Sequence, residues 1–192
     1  MHTTEHEILD TLAEPCCVIC RLSATSARGY LEGIMRDGVN DRVVRNDWRR
    51  RGGLCARHWR VWRGLESPPL ASAILTRDLL GSYLQQGAPK ELACRACRSE
   101  RDAERRYLDA LLALPAEVPS AALSAGRGFV CLRHLEGLLP GPLHDAFRAR
   151  LEAVLEELGE FIRKSDYRYA SEPRGPEGDS WLRAIRALGG DV

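Results

Sequence analysis

The chain is poor in aromatic residues, in lysine and in uninterrupted hydrophobic runs. Only 6% of its 192 residues are aromatic, so a core must be built mainly from Leu, Ala, Val and Ile. Lysine occurs at Lys90 and Lys164 alone, so all but two of the 28 basic residues are arginine. No apolar run approaches the roughly 20 residues of a membrane-spanning helix, which argues against a membrane protein of that type. The polar, partly acidic start Met1-His2-Thr3-Thr4-Glu5-His6-Glu7 lacks the pattern of a secretory signal, and the expected compartment is the cytoplasm, where thiols stay reduced. Excess charge is missing as well. A formal net charge of +1 gives no electrostatic reason to expect a nucleic-acid or membrane-surface partner. There is no Walker loop, GxGxxG turn, nucleophile elbow or HExxH, and nothing supports a Ser/His/Asp triad. These absences point away from an enzyme, and no catalytic residue is assigned.

What the chain does have is a cysteine–histidine pattern written twice. Cys17-x2-Cys20 is followed by Cys55-x2-His58, and Cys94-x2-Cys97 by Cys131-x2-His134. The offset is 77 residues from Cys17 to Cys94 and 76 from Cys55 to Cys131. Each copy supplies three thiolates and one imidazole, a full tetrahedral set for a closed metal site. The seventh cysteine, Cys16, corresponds to Ala93 in the second copy and reads as a small buried residue. The repeat extends past the donors: Arg21, Arg28, Tyr30 and Leu31 match Arg98, Arg105, Tyr107 and Leu108. Two copies are too few for a solenoid. The fold class expected is therefore all-α, a pseudo-twofold duplicated helical bundle with two Cys3His sites. Its parts are a first half at 1–87, a second at 91–164 and a C-terminal arm with a helix at 165–192. Ala88-Pro89-Lys90 is the expected joint between the halves.

Helical spacing supports this. Tyr30, Leu31, Ile34 and Met35 share a face, as do Tyr107, Leu108, Leu111 and Leu112. A shorter helix around Val43, Val44 and Trp48 is ended by Gly52-Gly53, and its counterpart near Val118 to Ala125 by Gly126. Each CxxH opens a further helix, placing His three residues after Cys on the same face. A long helix is expected from Pro69 to Gln86 and another along the stripe from Leu143 to Ile162. A last one starts at Asp179 or Ser180 and stops at Gly189-Gly190.

Zinc is the first expectation, two ions in all, because Cys3His is a familiar structural zinc set and leaves no open position for catalysis. Iron–sulfur clusters, with a role in electron transfer or redox sensing, are the alternative, since one His can replace a Cys ligand. Pairing within each copy joins Cys17, Cys20, Cys55 and His58 on one ion and Cys94, Cys97, Cys131 and His134 on the other. Spacing alone does not exclude a swapped arrangement, joining Cys17 and Cys20 to Cys131 and His134.

Other clusters have plainer readings beside the functional one. Eight arginines lie at 42–63, interleaved with Trp48, Trp59 and Trp62. Arginine with aromatics can grip phosphates and stack on bases, so nucleic-acid binding through Arg49, Arg50, Arg51 and Trp48 is the third functional reading. The simpler one is a solvated helix face with its tryptophans in the core. Arg21, Arg57, Arg98 and Arg133 flank the metal motifs and are expected to offset the negative charge of a Cys3His zinc site. Tyr30 and Tyr107 are expected to pack between helices and hydrogen-bond through their hydroxyls. His2, His6 and His144 have no ligand-like spacing and are expected at the surface.

Together the twin motifs, Arg106-Tyr107-Leu108-Asp109, the Gly-Leu-Cys-Ala-Arg-His turn at 53–58 and Glu160-Phe161-Ile162-Arg163-Lys164-Ser165-Asp166-Tyr167-Arg168 resemble an uncharacterised bacterial family, a domain of unknown function. The arm motif Gly178-Asp179-Ser180-Trp181 belongs to the same resemblance, which covers nearly the whole chain and implies that the arm goes with the metal-bearing core. The function expected is a cytoplasmic interaction or regulatory module, with an unknown protein partner, in which the metals hold the helices.

Overall fold

A computed structural model describes residues 3–66, 69–89, 93–169 and 171–190. His2 and Lys90, both given a place by the sequence reading, lie outside the described residues. The described chain is helical, with no strand among those residues, as the apolar periodicities predict. The helices are α1 (Thr3–Thr11), α2 (Val18–Gly33), α3 (Arg42–Arg51), α4 (Ala56–Arg63), α5 (Pro69–Gln86), α6 (Arg95–Ala113), α7 (Glu117–Ala125), α8 (Leu132–Glu136), α9 (Pro142–Lys164) and α10 (Ser180–Gly189). No single helix among the described residues is long and apolar enough to cross a membrane.

Local chemistry explains the ends of these helices. The Asp41 carboxylate accepts from the backbone N–H groups of Val43 and Val44 and caps α3. Gly52 ends α3 in the left-handed region at φ 73°, with its N–H returning to the last turn. Cys55 and Cys131 occupy the same position before α4 and α8, with φ −71°, ψ 165° and φ −69°, ψ 164°. α2 does not run straight into the next loop: Ile34–Gly38 forms a single π turn.

The chain divides into two compact units, Met1–Leu22 with Glu104–Val192, and Ser23–Ala103. Their boundaries fall inside α2 and α6 and cut across the expected halves at 1–87 and 91–164. In the first unit the core is built on Ile8, Leu12, Val18, Ile19, Leu111, Phe129 and Phe147. α10 packs on α9, and α7 also lies against α9. The segment 126–129 runs tightly along 12–18. Gly128 N–H donates to Leu12 O at 2.8 Å, Phe129 N–H to Cys16 O at 3.0 Å and Val18 N–H to Phe129 O at 2.9 Å. A Cβ on Gly128 would lie 2.6 Å from Leu12 O, so only glycine permits this approach.

The arm at 165–192 is bound to the first unit by buried charge. Arg183 is 1% exposed and donates to Asp179 at 3.0 Å, to Pro176 O at 2.8 Å and to Glu157. Lys164 reaches Glu177 at 2.9 Å. Arg186 donates to Pro15 O at 2.8 Å.

In the second unit the core gathers Leu31, Ile34, Met35, Trp48, Leu54, Trp62 and Leu75. Trp48, Trp59 and Trp62 meet edge to face, with ring centroids 5.4–6.2 Å apart. Asp47 ties α3 to α6, accepting from Arg95 at 2.8 and 3.0 Å, and it also accepts from Arg51 at 2.9 Å.

Candidate metal centres

The eight predicted donors gather into two quartets, and the pairing is the swapped one. Cys17, Cys20, Cys131 and His134 form one set and Cys55, His58, Cys94 and Cys97 the other; within each, the donor atoms all lie within 4.8 Å of one another. The expected pairing of Cys17 and Cys20 with Cys55 and His58, and of Cys94 and Cys97 with Cys131 and His134, is corrected. The reason lies in which segments meet. In the first unit the backbone of Cys16 and Val18 pairs with Phe129, which brings the first CxxC to the second CxxH, whatever the length of α2. Each quartet lies wholly inside one compact unit.

In the first unit the paired segments 12–18 and 126–129 bring Cys17 beside Cys131, whose backbone N–H donates to Cys17 Sγ at 3.2 Å. His134 Nδ1 lies 3.4 Å from Cys17 Sγ, 3.5 Å from Cys20 Sγ and 3.2 Å from Cys131 Sγ. Cys20 and Cys131 sulfurs are 3.8 Å apart. The other ring nitrogen, Nε2, is 3.0 Å from Glu104 Oε1, and Arg133 lies 3.4 Å from the same oxygen. All four donor residues are buried.

The second quartet has the same inner geometry. His58 Nδ1 is 3.3 Å from Cys55 Sγ, 3.5 Å from Cys94 Sγ and 3.3 Å from Cys97 Sγ, and Cys55 and Cys97 sulfurs are 3.6 Å apart. Here Glu100 is held in a two-pronged ion pair by Arg57 and lies 3.7 Å from His58 Nε2. His58 is buried, but its three cysteines are partly exposed.

Three thiols this close compete for charge. Hydrogen bonds to Cys131 and Cys20, then burial, push the Cys17 thiol far up, while the hydrogen bonds that Cys131 receives from Cys17 and Cys20 outweigh burial and carry it far down. Burial, then Cys55 and the charge of Cys94, push Cys97 up to about 12. Burial would raise Cys55 too, but hydrogen bonds from the His58 backbone and Cys97 lower it. Burial disfavours charge on His134, yet the Cys131 and Cys20 sulfurs raise its pKa to about 10; burial and the Arg57 guanidinium lower that of His58. A divalent ion would let all three thiols of a set ionise together, which is the behaviour expected of a metal-ligating donor set.

The residues around the donors were partly legible. Arg57 and Arg133 flank the sites through Glu100 and Glu104. Arg21 instead pairs with Glu14 in the turn before α2 at 3.9 Å, and Arg98 with Asp102 on its own helix at 3.6 Å. The two glutamates were missed. Glu100 stands three residues after Cys97 and so on the same helix face, a signal available in the sequence; Glu104 lies beside a histidine 30 residues away, which spacing does not reveal. Cys16 is fully buried, and Tyr107 donates to Glu7 at 2.8 Å, both as expected. Tyr30 accepts from Trp48 Nε1 at 3.4 Å. His6 is exposed, and the partly buried His144 lies 3.2 Å from Asp145.

The Arg/Trp stretch at 42–63 is built otherwise than a stacking surface. Trp48 is 2% exposed and belongs to the core. Arg49 lies 3.3 Å from Asp78, and Arg50 and Arg51 pair with Asp47 at 3.2 and 2.9 Å.

No family model matches the chain, and no solved structure matches it. A curated relative from Caldicellulosiruptor sp. (strain Rt8B.4), described as an uncharacterized 23.9 kDa protein in the xynA 3' region, is 27% identical over 182 residues, which span 84% of this chain and 88% of the relative.

Proposed function

We propose that each quartet holds one zinc ion, that both ions are structural, and that the protein is a cytoplasmic interaction or regulatory module organised by them. The observation that carries this reading is the donor spacing. Zinc with Zn–S near 2.3 Å and Zn–N near 2.05 Å sets tetrahedral edges of about 3.8 Å between sulfurs and about 3.6 Å between sulfur and nitrogen. The two quartets show sulfur–sulfur separations of 3.8 and 3.6 Å and sulfur–nitrogen separations of 3.2–3.5 Å. Four protein donors fill the four corners and leave no position for a reacting water, which supports a structural over a catalytic role. The element order α2 to α5 is repeated in α6 to α9, with matching cysteine caps on α4 and α8, and supports an internal duplication.

The iron–sulfur alternative fits this spacing less well. A cluster places several metal atoms and bridging sulfides between its outer ligands, which spreads donors further apart than 4.8 Å. Binding to nucleic acid loses Trp48 as a stacking group to burial.

Anaerobic purification followed by elemental analysis and a visible spectrum tests the proposal. A colourless protein with about two zinc ions per chain is expected. A brown protein containing iron and acid-labile sulfide would replace zinc with clusters, and a metal-free, fully folded protein would remove the structural role altogether.

A further inference from the structure

The second unit carries a cavity of about 490 Å³ between α3 and α5 that none of the readings above uses. Its volume lies in the range of small-molecule sites, about 300–1,000 Å³. Arg45 and Arg49, one helical turn apart on α3, face Asp78 on α5. Arg45 reaches its carboxylate at 3.0 and 3.4 Å and Arg49 at 3.3 Å. Arg77 lines the same cavity, with the hydroxyl of Ser82 and the amide of Gln85. Asp78 is the sole acidic residue among those lining it. Three guanidinium groups against one carboxylate leave two positive charges converging on the cavity.

Beside it lies a second cavity of about 350 Å³, lined by Trp59, Leu79, Leu80 and Tyr83. Arg49 and Ser82 line both. Leu80 and Tyr83 are 60% and 54% exposed, although α5 carries more apolar residues than its one buried member, Leu75, accounts for. A cationic cavity and an apolar one thus share a wall.

The geometry points to a binding site for a phosphate monoester with an apolar or aromatic body, its dianionic phosphoryl group held by Arg45, Arg49 and Arg77 and its body against Trp59 and Tyr83. The charge matches, two positive to two negative. Arginine forks are the side chains that bind phosphate oxygens two at a time, and Asp78 holds two of them side by side. The aromatic edges of Trp59 and Tyr83 supply flat apolar contact for the body. A nucleic-acid strand is a poorer occupant, because a strand needs an open run of cations and stacking aromatics along its path. Here the cations converge in one cavity, Trp48 is buried, and Arg50 and Arg51 turn to Asp47.

Titration calorimetry on the full chain tests this with phenyl phosphate, phenyl sulfate, inorganic phosphate and phenol as probes. Phenyl phosphate is expected to bind at least about tenfold more tightly than the singly charged sulfate and than inorganic phosphate, with phenol not binding. Arg77→Gln alters an exposed side chain, so its melting temperature should stay unchanged while affinity for phenyl phosphate falls about tenfold. The site is overturned if Arg77→Gln binds phenyl phosphate as the parent does, if phenyl sulfate binds equally well, or if phenyl phosphate does not bind at millimolar concentration. A single-stranded oligonucleotide that binds more tightly than phenyl phosphate and responds to Arg50→Gln would likewise replace the pocket with a polymer surface.

Discussion

Cys17, Cys20 and Cys131 are at most 7% exposed, whereas Cys55, Cys94 and Cys97 are each partly open to solvent. The donor atoms themselves are arranged alike, with sulfur-to-imidazole separations of 3.2–3.5 Å in one quartet and 3.3–3.5 Å in the other. What differs is the layer around them. The first quartet is closed by backbone pairing between 12–18 and 126–129, and Glu104 touches the imidazole directly at 3.0 Å. In the second, Glu100 is drawn into the fork of Arg57 and stands 3.7 Å from the ring. The lesson is that an identical donor set can stand in two different surroundings. Geometry sets which ion fits, while burial and the carboxylate behind the histidine set how tightly and how slowly it exchanges.

That contrast can be broken most forcefully at the ligands. Cys131→Ser should cost at least about 4 kcal/mol of stability along with one metal ion, because it opens a sealed site. Cys97→Ser should also lose one ion but lower the melting temperature less. Equal losses by thermal melting and metal analysis would abolish the distinction. Challenge with excess chelator sharpens it kinetically: release is expected in two phases of one ion each, the faster one missing in Cys97→Ser. Replacing Glu104 by Gln should weaken metal binding by about 10- to 100-fold. Glu100→Gln should have a smaller effect, because Arg57 rather than His58 is its main partner; competition with a colorimetric chelator measures both.

An acid effect confined to the second unit is expected as well. The Arg95 guanidinium, assisted by Arg51, holds Asp47 down at about 2 although burial opposes this. Its pKa when folded lies below the unfolded value of about 3.9, so the contribution is complete above that value and vanishes as pH falls through about 2. On this basis Asp47→Asn should cost about 2 kcal/mol at pH 6 and approach no cost near pH 2. The melting difference between parent and variant, followed over that range, gives the test.

Much of this architecture was readable in residue order. α5 runs over Pro69–Gln86, as expected from its flanking proline and apolar spacing, and α3 stops at Gly52 because that residue takes the left-handed conformation. α1, the π turn at Ile34–Gly38 and the backbone pairing of 126–129 with 12–18 had no comparable signal. The first has only two buried residues to mark its face, Ile8 and Thr11. The last depends on Gly126 and Gly128 meeting the backbone of Leu12 and Ala13, an encounter between segments more than a hundred residues apart.

Taken alone, the order of residues determined which side chains carry the candidate metal chemistry, because CxxC and CxxH place donors one helical turn apart whatever the rest of the fold does. It also determined the helical class, through a period that each segment states for itself. The tertiary structure decided which turn meets which, since the pairing of 126–129 with 12–18 joins segments more than a hundred residues apart. It decided as well that Trp48 and Trp62 form core and that one quartet is sealed while the other is open. Pairing and burial depend on neighbours brought together by folding, and no local pattern records them.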